Sequence, residues 1–147
     1  MKIEEIKLKQ EIERAIKELG FTQLTDIQEK CIPEILSNKD VFGHSSTGSG
    51  KTAAFGLPII QRIEKGKGLQ SLVLTPTREL CIQVTEALKS FSKYTNIRIT
   101  SVYGGVGIEP QIHAIKTAEI VVGTPGRVLD HIKRRTLNLQ QVKYFVL

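Results

Sequence analysis

The residues best suited to chemistry in this 147-residue chain lie in one short segment, residues 43–52. The segment ends in Gly-Ser-Gly-Lys-Thr and follows an apolar pair, Val41 and Phe42, that we predict to be a strand. Glycines let backbone N–H groups turn inward around phosphate oxygens, and a helix that begins here presents its positive end to the anion. Lys51 would reach the β- and γ-phosphates, and the Thr52 hydroxyl would bind Mg²⁺. The segment therefore predicts a phosphate-binding loop for a nucleoside triphosphate, with Ser45 standing where the strict motif has glycine.

Three further turns carry residues that suit a phosphate. Pro76-Thr77-Arg78 and Thr124-Pro125-Gly126-Arg127 each follow an apolar run and precede a helical pattern, so each combines a hydroxyl, a helix N-terminus and an arginine. Thr77 is predicted to cap its helix, and Pro125 suits the first helical position. Gly104-Gly105 is either a plain turn or a place where a ligand backbone approaches closely. Three such turns at one edge of a sheet suggest a track for a single nucleic-acid strand.

The elements that would position these residues alternate along the chain. Short β-branched runs predict strands at 41–42, 72–74, 99–102, 120–122 and 144–147. Helical spacing separates them, for example at Leu80, Val84, Ala87, Leu88 and Phe91, and again at Val128, Leu129 and Ile132. Alternating strands and helices with nearly continuous apolar strands are typical of an α/β domain whose mostly parallel sheet is covered by helices on both faces.

Two helices are predicted before the phosphate loop. Apolar residues from Leu8 to Leu19 have helical spacing, and Gly20 is suited to end that helix. A second helix is predicted to start after Thr25, with Pro33 kinking or restarting it. Thr25 and Gln28 form a capping-box pattern at its start.

Composition limits the class of protein. The chain has 21 Lys and Arg against 15 Asp and Glu, a net charge of +6, with 40% apolar residues. This is an ordinary globular mixture, and its positive charge permits a polyanionic partner. No apolar run approaches the roughly 18 residues that span a bilayer, so we expect no membrane contact. The absence of a secretory leader and of paired cysteines, with only Cys31 and Cys81 present, predicts a cytoplasmic location.

Taken together, these motifs resemble the first RecA-like domain of the DEAD-box ATP-dependent RNA helicases. Residues 45–52 resemble that family's motif I, residues 76–80 motif Ia, Gly104-Gly105 the glycine doublet and residues 124–127 motif Ib. Gly20-Phe21 followed by Thr25, Ile27 and Gln28 resembles the adenine-reading Q motif, within a Q-motif region at 1–36. The resemblance covers residues 1–147 as one partial domain and implies a RecA-like P-loop fold that is incomplete at its C-terminus.

The resemblance also implies roles. ATP and Mg²⁺ would be the cofactors, Lys51 and Thr52 the catalytic residues, and Thr52 the metal ligand. The implied nucleotide-binding set is Phe21, Thr25, Gln28, Ser46, Thr47, Gly48, Ser49, Gly50, Lys51 and Thr52. The implied RNA-binding set, acting through the sugar–phosphate backbone, is Pro76, Thr77, Arg78, Gly104, Gly105, Thr124, Pro125, Gly126 and Arg127. Gln28 has two interpretations, a helix cap or an adenine contact, and the family's upstream aromatic position falls on Ile3.

An acid to hold Mg²⁺ and orient water is missing from the pattern. The only aspartates are Asp26, Asp40 and Asp130, and none follows a predicted strand. The family's Asp-Glu-Ala-Asp motif would follow Leu147, so we expect a fragment that lacks the catalytic acids and the second RecA-like domain, is inactive alone and is marginally stable. The alternatives are a non-catalytic nucleic-acid-binding module and a small-molecule P-loop kinase, although no arginine-rich lid segment supports the kinase.

Overall fold

The computed structural model describes residues 1–48 and 50–147, which form two compact units. The first unit comprises Met1–Arg62 and Ala87–Asn96, and the second comprises Ile63–Glu86 and Ile97–Leu147. The helices are α1 (Gln10–Glu18), α2 (Asp26–Leu36), α3 (Lys51–Arg62), α4 (Arg78–Phe91), α5 (Glu109–Ile115) and α6 (Pro125–Lys133), with a 3-10 turn at Ile3–Ile6. The strands are β1 (Ser71–Leu74), β2 (Ile99–Val102), β3 (Ile120–Gly123) and β4 (Tyr144–Val146).

The first unit is helical, and its helix boundaries follow local rules. Gly20 has φ +92°, the left-handed conformation that ends α1 as the sequence predicts. The predicted capping box is present at the start of α2. Pro33 lies inside α2, which runs on without the restart that the sequence allowed. α2 packs on α3 through its buried face, which contains Cys31 and Ile32.

The second unit contains a four-stranded, all-parallel sheet in the order β2-β3-β1-β4. Four of the five predicted strands are therefore confirmed. The fifth prediction is wrong, because Val41 and Phe42 lie in irregular backbone with side chains 40% and 95% exposed. A strand needs hydrogen bonds from an ordered neighbour, and no strand in the described residues pairs with these two.

One hydrophobic core cluster of the second unit lies against a single face of the sheet. Leu72 and Val121 are direct neighbours in the β1–β3 register, and both belong to this core. The other buried members are Leu69, Val102, Ile115, Ala118, Val128 and Leu137. A Cβ atom on Gly123 would lie 2.3 Å from Val128 Cγ2 and 2.7 Å from Val102 Cγ2. The close approach of α6 to β3 therefore requires glycine at position 123.

Two predicted helix faces need correction. In α4, Leu80 is 39% exposed while Cys81 is fully buried, so the buried stripe begins one residue later than we predicted. In α6, Leu129 is 51% exposed and His131 is fully buried. Apolar character favoured the two leucines, but the direction from which the sheet contacts each helix decides which residues are buried.

Candidate functional site

The predicted phosphate loop lies in the first unit, directly before α3. Gly48 and Gly50 have φ +80° and +90°, which lets backbone N–H groups point into the loop. α3 begins at Lys51, so the backbone N–H groups of its first turn lie directly after the loop. Ser46 and Thr47 are exposed and Thr52 is half-buried. Ser49, also in the predicted nucleotide set, lies outside the described residues.

Lys51 folds its side chain back across the loop. Its ammonium donates a hydrogen bond to the Ser45 carbonyl oxygen at 2.8 Å, although the residue as a whole is exposed. The two residues thus bracket the space that the sequence assigns to phosphate. An anion that enters this space exchanges a neutral carbonyl partner for a charged one, which makes a stronger bond to the ammonium.

Gln28 connects the cap of α2 to the phosphate loop. Its side-chain oxygen accepts from the Thr25 N–H at 3.0 Å, and its nitrogen donates to the Gly50 carbonyl at 3.2 Å. Gln28 is only 2% exposed, so both ends of its amide are used within the protein. A Cβ atom at position 50 would lie 2.3 Å from the Gln28 nitrogen. Sequence reasoning predicted the cap but did not predict the contact with Gly50.

Two residues near the predicted adenine site differ in exposure. Phe21 is half-buried and packs edge-to-face on Phe91, with ring centroids 5.9 Å apart. Ile3, which occupies the family's aromatic position, is 1% exposed and belongs to the core. Phe21, Thr25 and Gln28 therefore remain the candidates for contact with a nucleobase.

The second unit contains the other predicted turns. Thr77 caps α4, because the Leu80 N–H donates to its hydroxyl oxygen at 3.2 Å, as the sequence predicts. Pro76, Thr77 and Arg78 are exposed. The Arg78 guanidinium lies over the Tyr103 ring at 4.8 Å from its centroid. Arg78 therefore stands beside the glycine doublet as well as at the start of α4.

Buried Cys81, one turn into α4, points away from this surface. Its thiol lies 3.4 Å from the Val122 carbonyl oxygen. Burial raises the pKa of the Cys81 thiol, so the group stays protonated and unreactive.

The segment of residues 104–107, called here the glycine loop, is exposed throughout. Gly105 has φ +84°, and a Cβ there would lie 3.7 Å from Arg78 Nη1. From the other side, Arg127 Nη2 donates to the Val106 carbonyl at 3.1 Å. The guanidinium groups of Arg78 and Arg127 therefore both lie beside the glycine loop.

α6 begins as predicted, with Thr124 as N-cap and Pro125 in the first turn. The Thr124 side chain makes no capping hydrogen bond, and a Cβ at Gly126 would meet only open space. Arg127 differs from expectation in one respect: its side chain is only 14% exposed. Its guanidinium is held by the protein, with Gln111 Oε1 at 3.1 Å from Nη1 and the Asp130 carboxylate at 4.0 Å from Nε.

The sheet explains why these turns share one region. β1, β2 and β3 are parallel neighbours, so the segments after them lie at the same carboxyl edge. Pro76–Arg78, the glycine loop and Thr124–Arg127 follow those three strands. This region also contains Tyr103, Gln111 and His131, which are joined by hydrogen bonds. The sequence did not predict them, because no local pattern shows that residues from three different elements will be neighbours.

The three aspartates lie where the sequence placed them. Asp26 opens α2, Asp40 is exposed in irregular backbone, and Asp130 lies inside α6. Asp130 accepts from Arg134 Nε at 2.9 Å, and this hydrogen bond is the main reason that its pKa is lowered. Within residues 1–48 and 50–147, no group of three or more His, Cys, Asp or Glu could hold a metal ion. The candidate Mg²⁺ ligand in this part of the chain is the one predicted from the sequence, the Thr52 hydroxyl in the first turn of α3.

A phosphate loop before a helix, together with turns at the carboxyl edge of a parallel sheet, defines a P-loop α/β protein. Comparison with known proteins narrows that class. The DEAD/DEAH box helicase family model matches residues 25–147. The chain therefore belongs to the DEAD/DEAH box helicase family, and its fold is RecA-like.

Individual relatives agree with the family model. A probable ATP-dependent RNA helicase of Methanocaldococcus jannaschii is 49% identical over 100% of this chain and 40% of its own length. The DEAD-box ATP-dependent RNA helicase CshA of Geobacillus kaustophilus is also 49% identical, over 98% of this chain and 31% of its own length. The chain thus spans less than half the length of these relatives.

Solved structures give the same result. The crystal structure of a DEAD box protein from the hyperthermophile Methanococcus jannaschii matches with a TM-score of 0.95 and 49% identity, over 99% of this chain and 40% of that one. A hypothetical ATP-dependent RNA helicase from Sulfolobus tokodaii matches with a TM-score of 0.84 and 40% identity, over 93% of this chain and 41% of that one.

Among the described helices, none is long and apolar enough to cross a bilayer.

Proposed function

We propose that this chain is the ATP- and RNA-binding part of an ATP-dependent RNA helicase, in which ATP hydrolysis drives the separation of short RNA duplexes. The observation that carries the proposal is the phosphate loop, where Lys51 spans the loop to Ser45 at the start of α3. A surface loop without a ligand has no physical reason to combine two left-handed glycines, a helix N-terminus and a lysine that points across it.

On this proposal, ATP phosphates take the place of the Ser45 carbonyl as partner of the Lys51 ammonium. Backbone N–H groups near Gly48 and Gly50 would donate to phosphate oxygens. Mg²⁺ bound beside Thr52 would neutralise charge on the β- and γ-phosphates. Gln28, with Phe21 and Thr25, would contact adenine, which requires the Gln28 amide to share or exchange its present partners.

RNA would bind along the carboxyl edge of the sheet in the second unit. Arg78 is exposed beside the start of α4, and the N-terminus of α6 is open at Gly126. Gly104 and Gly105 lie between them and allow a sugar–phosphate chain to approach closely. Arg127 would add positive charge and hold the glycine loop from inside. Contacts of this kind position a strand but read little sequence.

For residues 1–147 alone we propose binding without hydrolysis. Asp26, Asp40 and Asp130 all lie away from a strand end, so none of the three aspartates is placed to orient water as the acid of a P-loop enzyme does. We propose that further sequence supplies the hydrolytic acid and a second RecA-like domain, since the relatives are more than twice as long as this chain. We also propose a cytoplasmic setting, where free cysteines such as Cys31 and Cys81 stay reduced.

The test is a chimera in which residues 1–147 replace the corresponding part of the M. jannaschii relative. We expect RNA-stimulated ATP hydrolysis by this chimera. Lys51→Ala should abolish turnover because it removes the charge that meets the phosphates, whereas Lys67→Ala, a change of an exposed lysine outside the loop, should leave it unchanged. Unchanged phosphate release in the Lys51→Ala chimera would contradict the assignment of the phosphate loop.

A further inference from the structure

A buried histidine lies directly behind the proposed RNA-binding edge and has no role in the function proposed so far. His131 is fully buried in α6. Its Nε2 lies 2.9 Å from Gln111 Oε1, and its Nδ1 lies 2.8 Å from the Thr136 hydroxyl. Burying an imidazole with both nitrogens paired restricts it to one orientation, so whatever it contacts is also restricted.

The partner of His131 is Gln111, which is 8% exposed in α5. Its side-chain nitrogen donates to the Tyr103 carbonyl at 3.0 Å, and its oxygen accepts from Arg127 Nη1 at 3.1 Å. Arginine only donates hydrogen bonds, so the Gln111 oxygen, and not its nitrogen, must face Arg127. The same oxygen faces His131 Nε2, which must therefore carry the imidazole proton. Each member of this group determines the orientation of the next.

The group supports the glycine loop at both ends. Gln111 holds the carbonyl of Tyr103, the residue before the loop, and Arg127 holds the carbonyl of Val106 within it. In the part of the chain that the structure describes, these are the side-chain hydrogen bonds that connect the glycine loop to both α5 and α6. A glycine-rich loop is otherwise free to sample many conformations. Restricting it to one conformation when a ligand binds costs free energy and weakens binding.

We propose that Gln111, held in orientation by His131, is a positioning residue that fixes the glycine loop and the Arg127 guanidinium in the arrangement that binds an RNA backbone. This inference rests on the proposed RNA-binding function. Gln111 and His131 need not touch RNA, because their effect is to remove the cost of ordering the loop and the arginine. Losing either residue should therefore weaken RNA binding in a chain that stays folded.

The test uses the 147-residue chain and a short single-stranded oligouridine across a salt series. Gln111→Met keeps the length of the side chain but removes both hydrogen-bonding atoms. We expect RNA binding to weaken roughly five- to tenfold, the net effect of losing about one ordinary hydrogen bond, with a shallower salt dependence. His131→Gln should weaken binding less, because a glutamine amide can still donate to Gln111. His113→Leu, at an exposed position on α5, is the matched control and should leave binding unchanged.

Double substitution separates positioning from general damage. Because part of the effect of Gln111 passes through Arg127, Gln111→Met should weaken RNA binding less in the Arg127→Met background than in the wild type. The proposal would be overturned if the two substitutions reduced RNA affinity additively. It would also be overturned if a folded Gln111→Met chain kept the wild-type affinity and salt slope.

Backbone 15N NMR relaxation at residues 104–107 gives a measurement without RNA. Gln111→Met should lower the order parameters of these residues while leaving those of the strands unchanged, and unchanged loop order parameters would contradict the proposal. If the wild-type chain binds no RNA, the proposed function fails, and the loop order parameters still decide whether Gln111 and His131 order the loop. If the wild type binds RNA and the variant matches it, the positioning role alone fails.

Discussion

At the scale of single residues, Gln28 has two structural roles, of which the sequence predicted only the helix cap. It completes the cap of α2 and also holds the Gly50 carbonyl of the phosphate loop. Its amide is nearly fully buried, so any adenine contact has to be made in competition with bonds already formed. A substitution at this position therefore acts on both the base and the loop.

We predict that Gln28→Ala in the chimera removes the preference for ATP over GTP. It should also weaken the binding of both nucleotides, because the Gly50 carbonyl loses its hydrogen bond from Gln28. Equilibrium binding of ATP, GTP and inorganic triphosphate separates the two effects. Triphosphate has no base, so its weaker binding would report the loop alone. Equal ATP and GTP affinities before and after the substitution would leave Gln28 as a structural residue only.

His131 provides a pH-dependent term in stability. Burial is the largest cause that lowers the pKa of His131, and the nearby Arg127 charge adds to it, while Asp130 opposes and Arg134 contributes weakly. The other side chains that face it, Gln111 and Thr136, do not titrate. The folded pKa is therefore below the unfolded value of about 6.5.

Below about pH 6.5, the unfolded pKa of histidine, the unfolded chain binds a proton at His131 more readily than the folded chain does. We predict that the free energy of unfolding falls as the pH falls from about 6.5 toward the folded pKa, and that this contribution is fully present at higher pH. Urea unfolding at several pH values measures it. The slope should flatten in His131→Gln and persist in the exposed control His113→Gln, and the same slope in all three chains would contradict the prediction.

At the scale of elements, the packing of α6 on β3 depends on the absence of a side chain at Gly123. The contacts that a Cβ would make there are with the buried Val102 and Val128 side chains, which have little room to move. This packing sets where α6 starts, and so where Thr124 and Gly126 lie relative to the sheet edge.

We predict that Gly123→Ala destabilises the chain by about 1–3 kcal/mol, the usual cost of overfilling a packed core. Thermal or urea unfolding measures the change. Gly126→Ala is the matched control, because its Cβ would meet open space within a helix, where alanine is favoured over glycine. Equal stability of the two variants would mean that α6 can shift away from β3 at little cost.

At the scale of the whole molecule, the chain carries a net charge of +6, and none of its three aspartates follows a strand of the described sheet. Its units also expose large apolar side chains, with Phe42 95% exposed in the first and Phe145 55% exposed on β4 in the second. Assays on the chain therefore need a demonstration that it is folded and monomeric.

We predict that residues 1–147 show no ATP hydrolysis with excess RNA, and bind single-stranded RNA weakly and with little sequence preference. The salt dependence should be shallow, about −0.7 in logarithmic slope for each neutralised phosphate. Phosphate release and RNA binding across a salt series measure both. RNA-stimulated phosphate release that survives repurification and disappears in Lys51→Ala would show that the chain supplies a catalytic acid.

The amino-acid sequence by itself determined the features that depend on neighbours within about one helical turn. The cap of α2 by Thr25 and Gln28, the stop at Gly20 and the cap of α4 by Thr77 are all confirmed, because each is made by residues three or four positions apart or by one glycine. The four confirmed strands followed from apolar runs long enough to be recognised without a partner. The order of the motifs also identified the family, which the comparisons confirm.

Only the tertiary structure decided the features that need a partner distant in sequence. Val41 and Phe42 have strand-like composition, but a strand forms only where another strand pairs with it. Cys81 and His131 are buried where Leu80 and Leu129 are exposed, because the direction of the sheet determines the buried face of a helix. The joining of Gln111, His131 and Arg127 depends on α5, α6 and the glycine loop meeting in space, and a hydrogen bond between side chains 16 or 20 residues apart leaves no periodic pattern along the chain.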